Sequence, residues 1–211
     1  MKPADLLLYA QRLQALAQTG ITYASTQYDL ERYLEIRELS VKLLQQLTDE
    51  PFEKIVRVFA SDTGYQTPKI DVRAVVFRGT NEILMVKEKI DGDRWTVPGG
   101  WADVGYSPSE VAVKEAKEEA GLDVRPGRLL ALLDKRKHAH PPQPFYAYKA
   151  FIQCDAIGGE LIDETNETSG AAWFRQDQIP TLDLSIDRIT ASQLEMLFQF
   201  AAHPDLPPHC D

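Results

Sequence analysis

Three glutamates, Glu115, Glu118 and Glu119, occur within five consecutive residues of the chain. In a helix, which turns by roughly 100° per residue, these three side chains lie on the same face. Carboxylates on adjacent turns repel one another and destabilise an isolated helix by a few tenths of a kcal/mol. The face is therefore either an ordinary solvated acidic surface or a binding site for a hard cation.

The segment WTVPGGW, residues 95–101, precedes this acidic run and contains two adjacent glycines. Glycine lets backbone carbonyl and amide groups approach a ligand closely. Carboxylate and carbonyl oxygens are the ligands that Mg²⁺ prefers, and protein-bound Mg²⁺ commonly bridges to substrate phosphates. A cation held here would also allow a chain of net charge −9 to bind an anionic diphosphate.

The acidic residues lie in a segment with clear helix-start and helix-stop signals. Ser107 and Glu110 have the spacing of a capping box. Pro108 follows Ser107, at a position where its missing N–H costs nothing. Gly121 is suited to a left-handed cap. These signals predict a helix over residues 108–120.

The rest of the chain divides into two regions by periodicity. Helical spacing of apolar residues predicts helices within residues 3–60, including a short one over 51–60. After a linker at 62–68, the pattern predicts strands at 69–77, 82–89, 129–137 and 145–156, turns at 79–81 and 158–159, and a helix over 189–202. We expect an α+β fold, an α/β/α sandwich with a mixed sheet, preceded by a small helical amino-terminal domain. The predicted domains are residues 1–66 and 67–211.

Composition excludes several classes of protein. The net charge of −9 argues against a stable nucleic-acid partner, because phosphate contacts need clustered Lys and Arg. No segment approaches the length of a membrane span, so we expect no membrane association and a cytoplasmic location. Cys154 and Cys210 lack metal-site spacing, and we expect reduced thiols, the second on a frayed tail.

The segment from Gly99 to Leu122 resembles the Nudix signature. Seven positions match in register: Gly100, Glu115, Ala116, Glu118, Glu119, Gly121 and Leu122. Two positions depart from the pattern, with Tyr106 in place of a glutamate and Lys114 in place of an arginine. In the family those two side chains usually form an ion pair that braces the loop. Their joint loss puts that pair in doubt but leaves the metal-binding glutamates intact.

The resemblance implies a metal site on this helix. Glu115 and Glu119 are its leading Mg²⁺ ligands, Glu118 lies close by, and the carbonyl oxygen of Gly99 completes the set. Mn²⁺ is the expected alternative metal. The competing explanation is that these are solvated surface carboxylates.

The resemblance also implies a general base that activates water. In several members of the family this glutamate comes from a loop late in the domain, which we place at residues 163–174. Glu167 is the first candidate and Glu164 the second, and Glu115 on the helix is a third. Each of the two loop residues could equally be an exposed carboxylate without a catalytic role.

Five side chains are candidates for substrate binding. Lys87, Lys89 and Arg94 flank the glycine-rich segment and could hold phosphate oxygens, although each could be a plain surface charge. Trp95 and Trp101 could stack on a base, although aromatic side chains more often pack in a core.

The amino-terminal helices together with the Nudix segment resemble a subgroup that hydrolyses nucleoside diphosphates linked to another group, including ADP-ribose and CDP-choline. The implied reaction releases a nucleoside monophosphate and a phosphorylated product. The subgroup resembles homodimers, and the apolar stripes on the first two helices would suit either a dimer contact or the core. Two alternatives remain open: a pyrophosphatase that removes oxidised nucleoside triphosphates, and a non-catalytic sensor of nucleotide sugars.

Overall fold

The computed structural model describes residues 3–48 and 50–211, so residues 1, 2 and 49 of the predicted amino-terminal domain lie outside the described residues. The chain forms two compact units. The first comprises Met1–Lys69 and Pro142–Tyr146, and the second comprises Ile70–Pro141 and Ala147–Asp211. The grouping of residues 142–146 with the amino-terminal helices has no local signal in the sequence, and the domain boundary after residue 66 stays a prediction.

The first unit is helical, as the apolar spacing predicted. Its elements are α1 (Pro3–Tyr23), α2 (Gln27–Leu47) and α3 (Phe52–Ile55), which continues as a π-helix over Val56–Ala60. Thr26 caps α2, since its side chain accepts a hydrogen bond from the backbone N–H of Asp29 at 3.1 Å. The core of this unit contains Ala10, Val41, Leu44, Ile55 and Ala60.

The second unit contains a mixed sheet and two helices. Within the described residues, its strands are β1 (Lys69–Arg78), β2 (Glu82–Glu88), β3 (Arg94–Thr96), β4 (Gly99–Trp101), β5 (Leu122–Asp134), β6 (Ala147–Gly159), β7 (Thr168–Arg175) and β8 (His209–Cys210). The strand order is β3-β2-β1-β6-β5-β8, with β4 paired to β1 and β7 paired to β2. The β5–β8 pair is parallel and the β5–β6 pair is antiparallel.

The helices α4 (Pro108–Ala120) and α5 (Ala191–Ala202) cover opposite faces of this sheet. The alternation of side chains along β1 shows the arrangement, because successive residues of a strand point to opposite faces. Val72, Ala74 and Val76 pack in the core that includes α4, whereas Val75 packs in the core that includes α5. The predicted α/β/α sandwich is therefore confirmed. Among the described residues, no helix has the length and apolar character that crossing a bilayer requires.

Several local predictions were wrong. Gly158 and Gly159 do not form a turn but end β6, where they pair with Asp123 and Leu122. Seven of the twelve residues of the predicted loop at 163–174 belong to β7, and the glycine-rich segment contains the last two residues of β3 and all of β4. The carboxyl terminus is not frayed, since Cys210 pairs with Leu132. In each case pairing with a strand distant in sequence overrides local turn preferences.

Candidate functional site

Helix α4 is fixed at both ends by the predicted caps. The Ser107 hydroxyl accepts from the backbone N–H of Glu110 at 3.3 Å, and the Glu110 carboxylate accepts from the backbone N–H of Ser107 at 2.8 Å. At the other end Gly121 adopts φ +80°, the left-handed conformation of a helix stop. The helix therefore begins and ends where the sequence predicted, which fixes the rotation of its acidic face.

Packing divides the three glutamates of this helix into two groups. Glu115 and Glu119 are only 7% and 3% exposed, next to the core residues Ala112 and Ala116. Glu118 points outward, where it is exposed and lies 3.4 Å from the Lys114 ammonium group. A solvated acidic surface therefore describes Glu118 but does not describe its two buried neighbours.

The loop that precedes β7 brings a third carboxylate to the buried pair. Carboxylate oxygens of Glu115, Glu119 and Glu167 all lie within 4.8 Å of one another. Glu167 is exposed, so the group is open to solvent on one side. Among the described residues, this is the group of acidic, His or Cys side chains whose spacing suits a metal ion. Glu118 and Glu164 lie outside it, and their predicted roles stay predictions.

The electrostatics of this group favour a bound cation. Burial raises the pKa of Glu119 to about 8, although the nearby Arg73 guanidinium opposes the shift. Burial also raises the pKa of Glu115, and the neighbouring Glu118 and Glu167 add to that increase. A buried carboxylate either binds a proton or gains a compensating positive charge. Because all the donor atoms are oxygens, the set fits a hard divalent cation such as Mg²⁺.

The two glycines before α4 lie against these carboxylates. The backbone N–H of Gly99 donates to the Glu119 carboxylate at 2.9 Å. A Cβ atom at Gly99 would lie 2.1 Å from the carbonyl oxygen of Val72, so no side chain fits there. A Cβ atom at Gly100 would lie 3.1 Å from Glu115 Oε1. The structure thus places both glycines at the site, while the Gly99 carbonyl as a metal ligand stays a prediction.

The two departures from the family signature have different surroundings. Tyr106 is 51% exposed on the loop before α4. The Lys114 ammonium lies 4.0 Å from Asp103 in the same loop and 3.7 Å from Glu115. A long ion pair between Lys114 and Asp103 therefore joins helix and loop, although the position of its acidic partner differs from the one the signature predicts.

Two of the predicted site residues, Glu164 and Arg94, form ion pairs with oppositely charged side chains. Glu164 is paired with the Lys89 ammonium at 2.6 Å. Arg94 lies 3.4 Å from Asp91 and 3.5 Å from Asp183, both carboxylates.

The two tryptophans also differ. Trp95 packs on Phe174 with ring centroids 4.6 Å apart, and the Lys87 ammonium lies 5.1 Å from the Trp95 ring centroid. Trp101 is 46% exposed and follows the two glycines. Trp95 therefore packs against an aromatic neighbour, whereas nearly half of the Trp101 surface is exposed.

Sequence reasoning missed several buried charges in this unit. Arg73 donates to Asp71 at 2.8 Å and to the carbonyl of Val97 at 3.2 Å, and Lys149 also donates to Asp71. Burial lowers the pKa of Lys149 to about 7, with Asp71 opposing the shift. Charged residues within strands were the available signal, but their partners are distant in sequence.

Another missed carboxylate, Glu88, is 5% exposed and lies 3.3 Å from Arg188. Burial raises the pKa of Glu88, while the positive charges of Arg188 and Arg73 oppose that shift. Glu88 adds to the negative charge around Glu119, because its carboxylate is close enough to raise the pKa of Glu119. It occupies the last position of β2, where a register shift interrupts the pairing with β7.

Comparisons with known proteins agree with this architecture. Residues 4–59 match a family described as a UDP-X-like, N-terminal oligomerisation domain, and residues 67–196 match the NUDIX domain. The chain is 48% identical over 197 residues to the Bacillus subtilis (strain 168) protein named "Putative ADP-ribose pyrophosphatase YjhB", covering 93% of this chain and 92% of that one.

Two solved structures are similar over most of the chain. A UDP-X diphosphatase crystal structure covers 100% of both chains with a TM-score of 0.62 and 32% identity. An ADP-ribose pyrophosphatase from Streptococcus suis 89-1591 covers 69% of this chain and 100% of its own, with a TM-score of 0.60 and 37% identity. The protein is therefore a member of the Nudix hydrolase family, in the group that carries an amino-terminal helical domain, and an enzyme of the pyrophosphohydrolase type.

Proposed function

We propose that this enzyme hydrolyses the diphosphate bridge of ADP-ribose or a closely related nucleoside diphosphate derivative, with Mg²⁺ or Mn²⁺ as cofactor. The observation that carries the proposal is the meeting of Glu115, Glu119 and Glu167 within 4.8 Å. The names of the similar proteins from Bacillus subtilis and Streptococcus suis support ADP-ribose as the first substrate to test.

In this proposal the buried pair Glu115 and Glu119 holds the metal together with Glu167, and the N–H of Gly99 fixes the Glu119 carboxylate. Bound there, Mg²⁺ supplies positive charge that neutralises the diphosphate oxygens and makes the attacking water more acidic. The Lys114 ammonium, 3.7 Å from Glu115, contributes a further positive charge beside the carboxylates.

The reaction requires a base for the attacking water. Glu167 is the exposed member of the three and offers one carboxylate oxygen to the metal, so we assign its second oxygen to a water that arrives with the substrate. The water oxygen bonds to one phosphorus, the bond from that phosphorus to the bridging oxygen breaks, and Glu167 accepts the proton. The products are a nucleoside monophosphate and the phosphorylated second group.

We assign substrate contacts to residues beside this site. Trp101 directly follows the glycines and is 46% exposed, and we assign its ring to stacking on the nucleotide base. Arg94 is 44% exposed at its side chain and could exchange its acidic partners for phosphate oxygens. Lys87, by contrast, lies over the Trp95 ring, which favours a supporting role for that pair.

We also propose that the enzyme is a homodimer joined through its amino-terminal helices. The match of residues 4–59 to an oligomerisation domain supports this proposal. Apolar side chains on α1 remain exposed in the single chain, at 50% for Tyr9 and 63% for Leu16. A cytoplasmic location and the lack of a nucleic-acid partner remain predictions from the sequence.

The proposal is tested by product analysis of purified protein with Mg²⁺ against ADP-ribose, UDP-linked sugars, CDP-choline and 8-oxo-dGTP. We expect ADP-ribose to give AMP and ribose 5-phosphate. Preference for UDP-linked sugars or CDP-choline would leave the proposed reaction unchanged and would replace ADP-ribose as the substrate. Release of pyrophosphate from 8-oxo-dGTP alone would contradict the proposal, as would tight binding of a nucleotide without turnover.

A further inference from the structure

The loop that carries Glu167 is anchored by Lys89 at the end of β2. The backbone N–H of Lys89 donates to the carbonyl of Glu167 at 3.0 Å. The Lys89 ammonium donates to the carbonyl of Thr165 and to the carboxylate of Glu164, each at 2.6 Å. Glu164, the second candidate for the base, is thus paired with Lys89 within this loop.

Two threonine hydroxyls, from Thr165 in the loop and Thr168 at the start of β7, add further hydrogen bonds. The Thr168 hydroxyl, in a fully buried residue, donates to the backbone carbonyl of Glu119 at 2.8 Å and lies 2.9 Å from the Thr165 hydroxyl. The backbone N–H groups of Glu167 and Thr168 donate to the Thr165 hydroxyl at 3.1 Å and 2.9 Å.

The direction of each hydrogen bond follows from the capacity of a hydroxyl, which has one hydrogen and two lone pairs. The hydrogen of Thr168 is used on the Glu119 carbonyl, so the hydrogen of Thr165 must be donated to Thr168. Thr165 then uses both lone pairs for the two backbone N–H groups. The Thr165 hydroxyl then has no further hydrogen or lone pair to offer. Removal of either threonine hydroxyl leaves backbone groups without hydrogen-bond partners.

The acceptor in α4 is a carbonyl that the helix itself cannot satisfy. The last carbonyls of a helix lack partners within it, and α4 ends at Ala120. The N–H of Ile162 donates to the carbonyl of Ala120 at 3.2 Å, and Thr168 donates to that of Glu119. The loop is therefore tied to the backbone of the residue whose carboxylate faces Glu167.

We propose that Thr168 is a positioning residue that holds Glu167 against Glu115 and Glu119 through the hydrogen bonds it shares with Thr165 and Glu119. The inference rests on the proposed function, because it assumes that Glu167 acts in that reaction. It requires a hydroxyl at position 168 and not merely a side chain of this volume, so serine should serve and valine should not.

The first test is a double-mutant cycle on ADP-ribose hydrolysis with the variants Thr168→Val, Glu167→Gln and both together. Loss of a general base lowers kcat by roughly 10² to 10⁴. We expect Thr168→Val to lower kcat about tenfold or more with little change in KM, and Thr168→Ser to restore it to within about threefold. The double variant should be no slower than Glu167→Gln, since residues that act as a unit are not additive.

The second test measures Mn²⁺ binding by calorimetry without substrate, which does not depend on turnover. Loss of groups that orient metal ligands typically weakens metal affinity by roughly 10- to 100-fold. We expect weaker Mn²⁺ binding in Thr168→Val and unchanged binding in Thr168→Ser. Thermal unfolding of each variant shows whether it is folded. If Thr168→Val does not fold, Thr165→Val, which removes the other hydroxyl of the pair, takes its place in both tests.

The outcomes separate this inference from the proposed function. If Glu167→Gln keeps full activity, its role as base fails, and Mn²⁺ binding then decides whether Thr168 positions the loop. If Glu167→Gln is slow but the losses of the two single variants multiply in the double variant, Thr168 does not act through Glu167. Unchanged kcat and Mn²⁺ affinity in Thr168→Val would also overturn the inference.

Discussion

The backbone N–H of Gly99 donates a hydrogen bond to the carboxylate of Glu119, with 2.9 Å between nitrogen and oxygen. These residues belong to β4 and α4, and the bond ties the turn of the glycine-rich segment to the buried carboxylate of the helix. The same glycine has a φ of +151° and no room for a side chain. Its identity is therefore fixed by both conformation and space.

This relationship predicts different results for alanine at the two neighbouring glycines. Gly99→Ala would place Cβ 2.1 Å from the Val72 carbonyl oxygen, and we expect it to lower the free energy of unfolding by about 2 kcal/mol or more. Gly100→Ala would instead contact the Glu115 carboxylate at 3.1 Å. We expect it to lower kcat roughly tenfold while changing stability by less than about 1 kcal/mol.

Urea unfolding and steady-state kinetics on both variants provide the measurement. Each glycine serves as the control for the other, because the substitution is the same and the contacted atom differs. Equal loss of stability in the two variants, or an unchanged kcat in Gly100→Ala, would contradict this prediction.

Much of the second unit could be predicted because its signals are local. Ser107, Pro108 and Gly121 fixed α4, and the spacing of Glu115 and Glu119 placed both carboxylates on one face. That only two of the three acidic side chains of α4 would be buried could not be predicted, because burial depends on what the helix packs against.

The third carboxylate shows where local reasoning ends. Glu167 is the first candidate for the general base, and the structure places its carboxylate beside those of Glu115 and Glu119 on α4. The hydrogen bonds that hold its loop could not be predicted, since Lys89 and Glu119 are far from Glu167 in sequence. The strand β7 was missed because Ser169 and Gly170 break the expected pattern, and its pairing with β2 supplies the stability.

His140 gives a prediction for stability against pH. Its Nδ1 lies 2.6 Å from the carbonyl of Ile186 and its Nε2 lies 3.0 Å from the Gln193 amide nitrogen, which fits a neutral ring with the proton on Nδ1. Burial lowers its pKa to about 3, whereas an unfolded histidine has a pKa of about 6.5. Below about pH 6.5 the unfolded state therefore binds more protons at this residue than the folded state does. With respect to His140, the free energy of unfolding is highest above about pH 6.5 and decreases as the pH falls toward 3.

The loss amounts to at most about 1.4 kcal/mol for each pH unit in that window. We therefore expect urea unfolding of His140→Asn to show a shallower decline in stability between pH 6.5 and pH 4 than the unsubstituted protein. His203→Asn, at an exposed residue, controls for the substitution itself. A His140→Asn protein whose stability falls as steeply as that of the unsubstituted protein would exclude a neutral His140 ring in the folded state.

The apolar surface of α1 gives a prediction for assembly. Leu13 and Leu16 are 38% and 63% exposed, and both line an open groove with a volume of about 660 Å³ in the helical unit. We expect Leu16→Glu to weaken the proposed dimer by at least about tenfold, because a charge would replace apolar surface at the proposed contact. Light scattering coupled to gel filtration measures the mass, with Ile157→Glu, at an exposed apolar residue of β6, as the control. A Leu16→Glu protein that stays dimeric at all concentrations would show that Leu16 does not lie in the dimer interface.

The central claim is that Glu115, Glu119 and Glu167 form a divalent-metal site that drives diphosphate hydrolysis. Its most direct test is the Mg²⁺ dependence of ADP-ribose cleavage after chelation, in the unsubstituted protein and in Glu119→Gln, with the exposed Glu118→Gln as matched control. We expect Mg²⁺ to restore the unsubstituted enzyme, Glu119→Gln to lose at least about a hundredfold in turnover, and Glu118→Gln to lose less than about tenfold. Full Mg²⁺-dependent turnover in Glu119→Gln would contradict the assigned site.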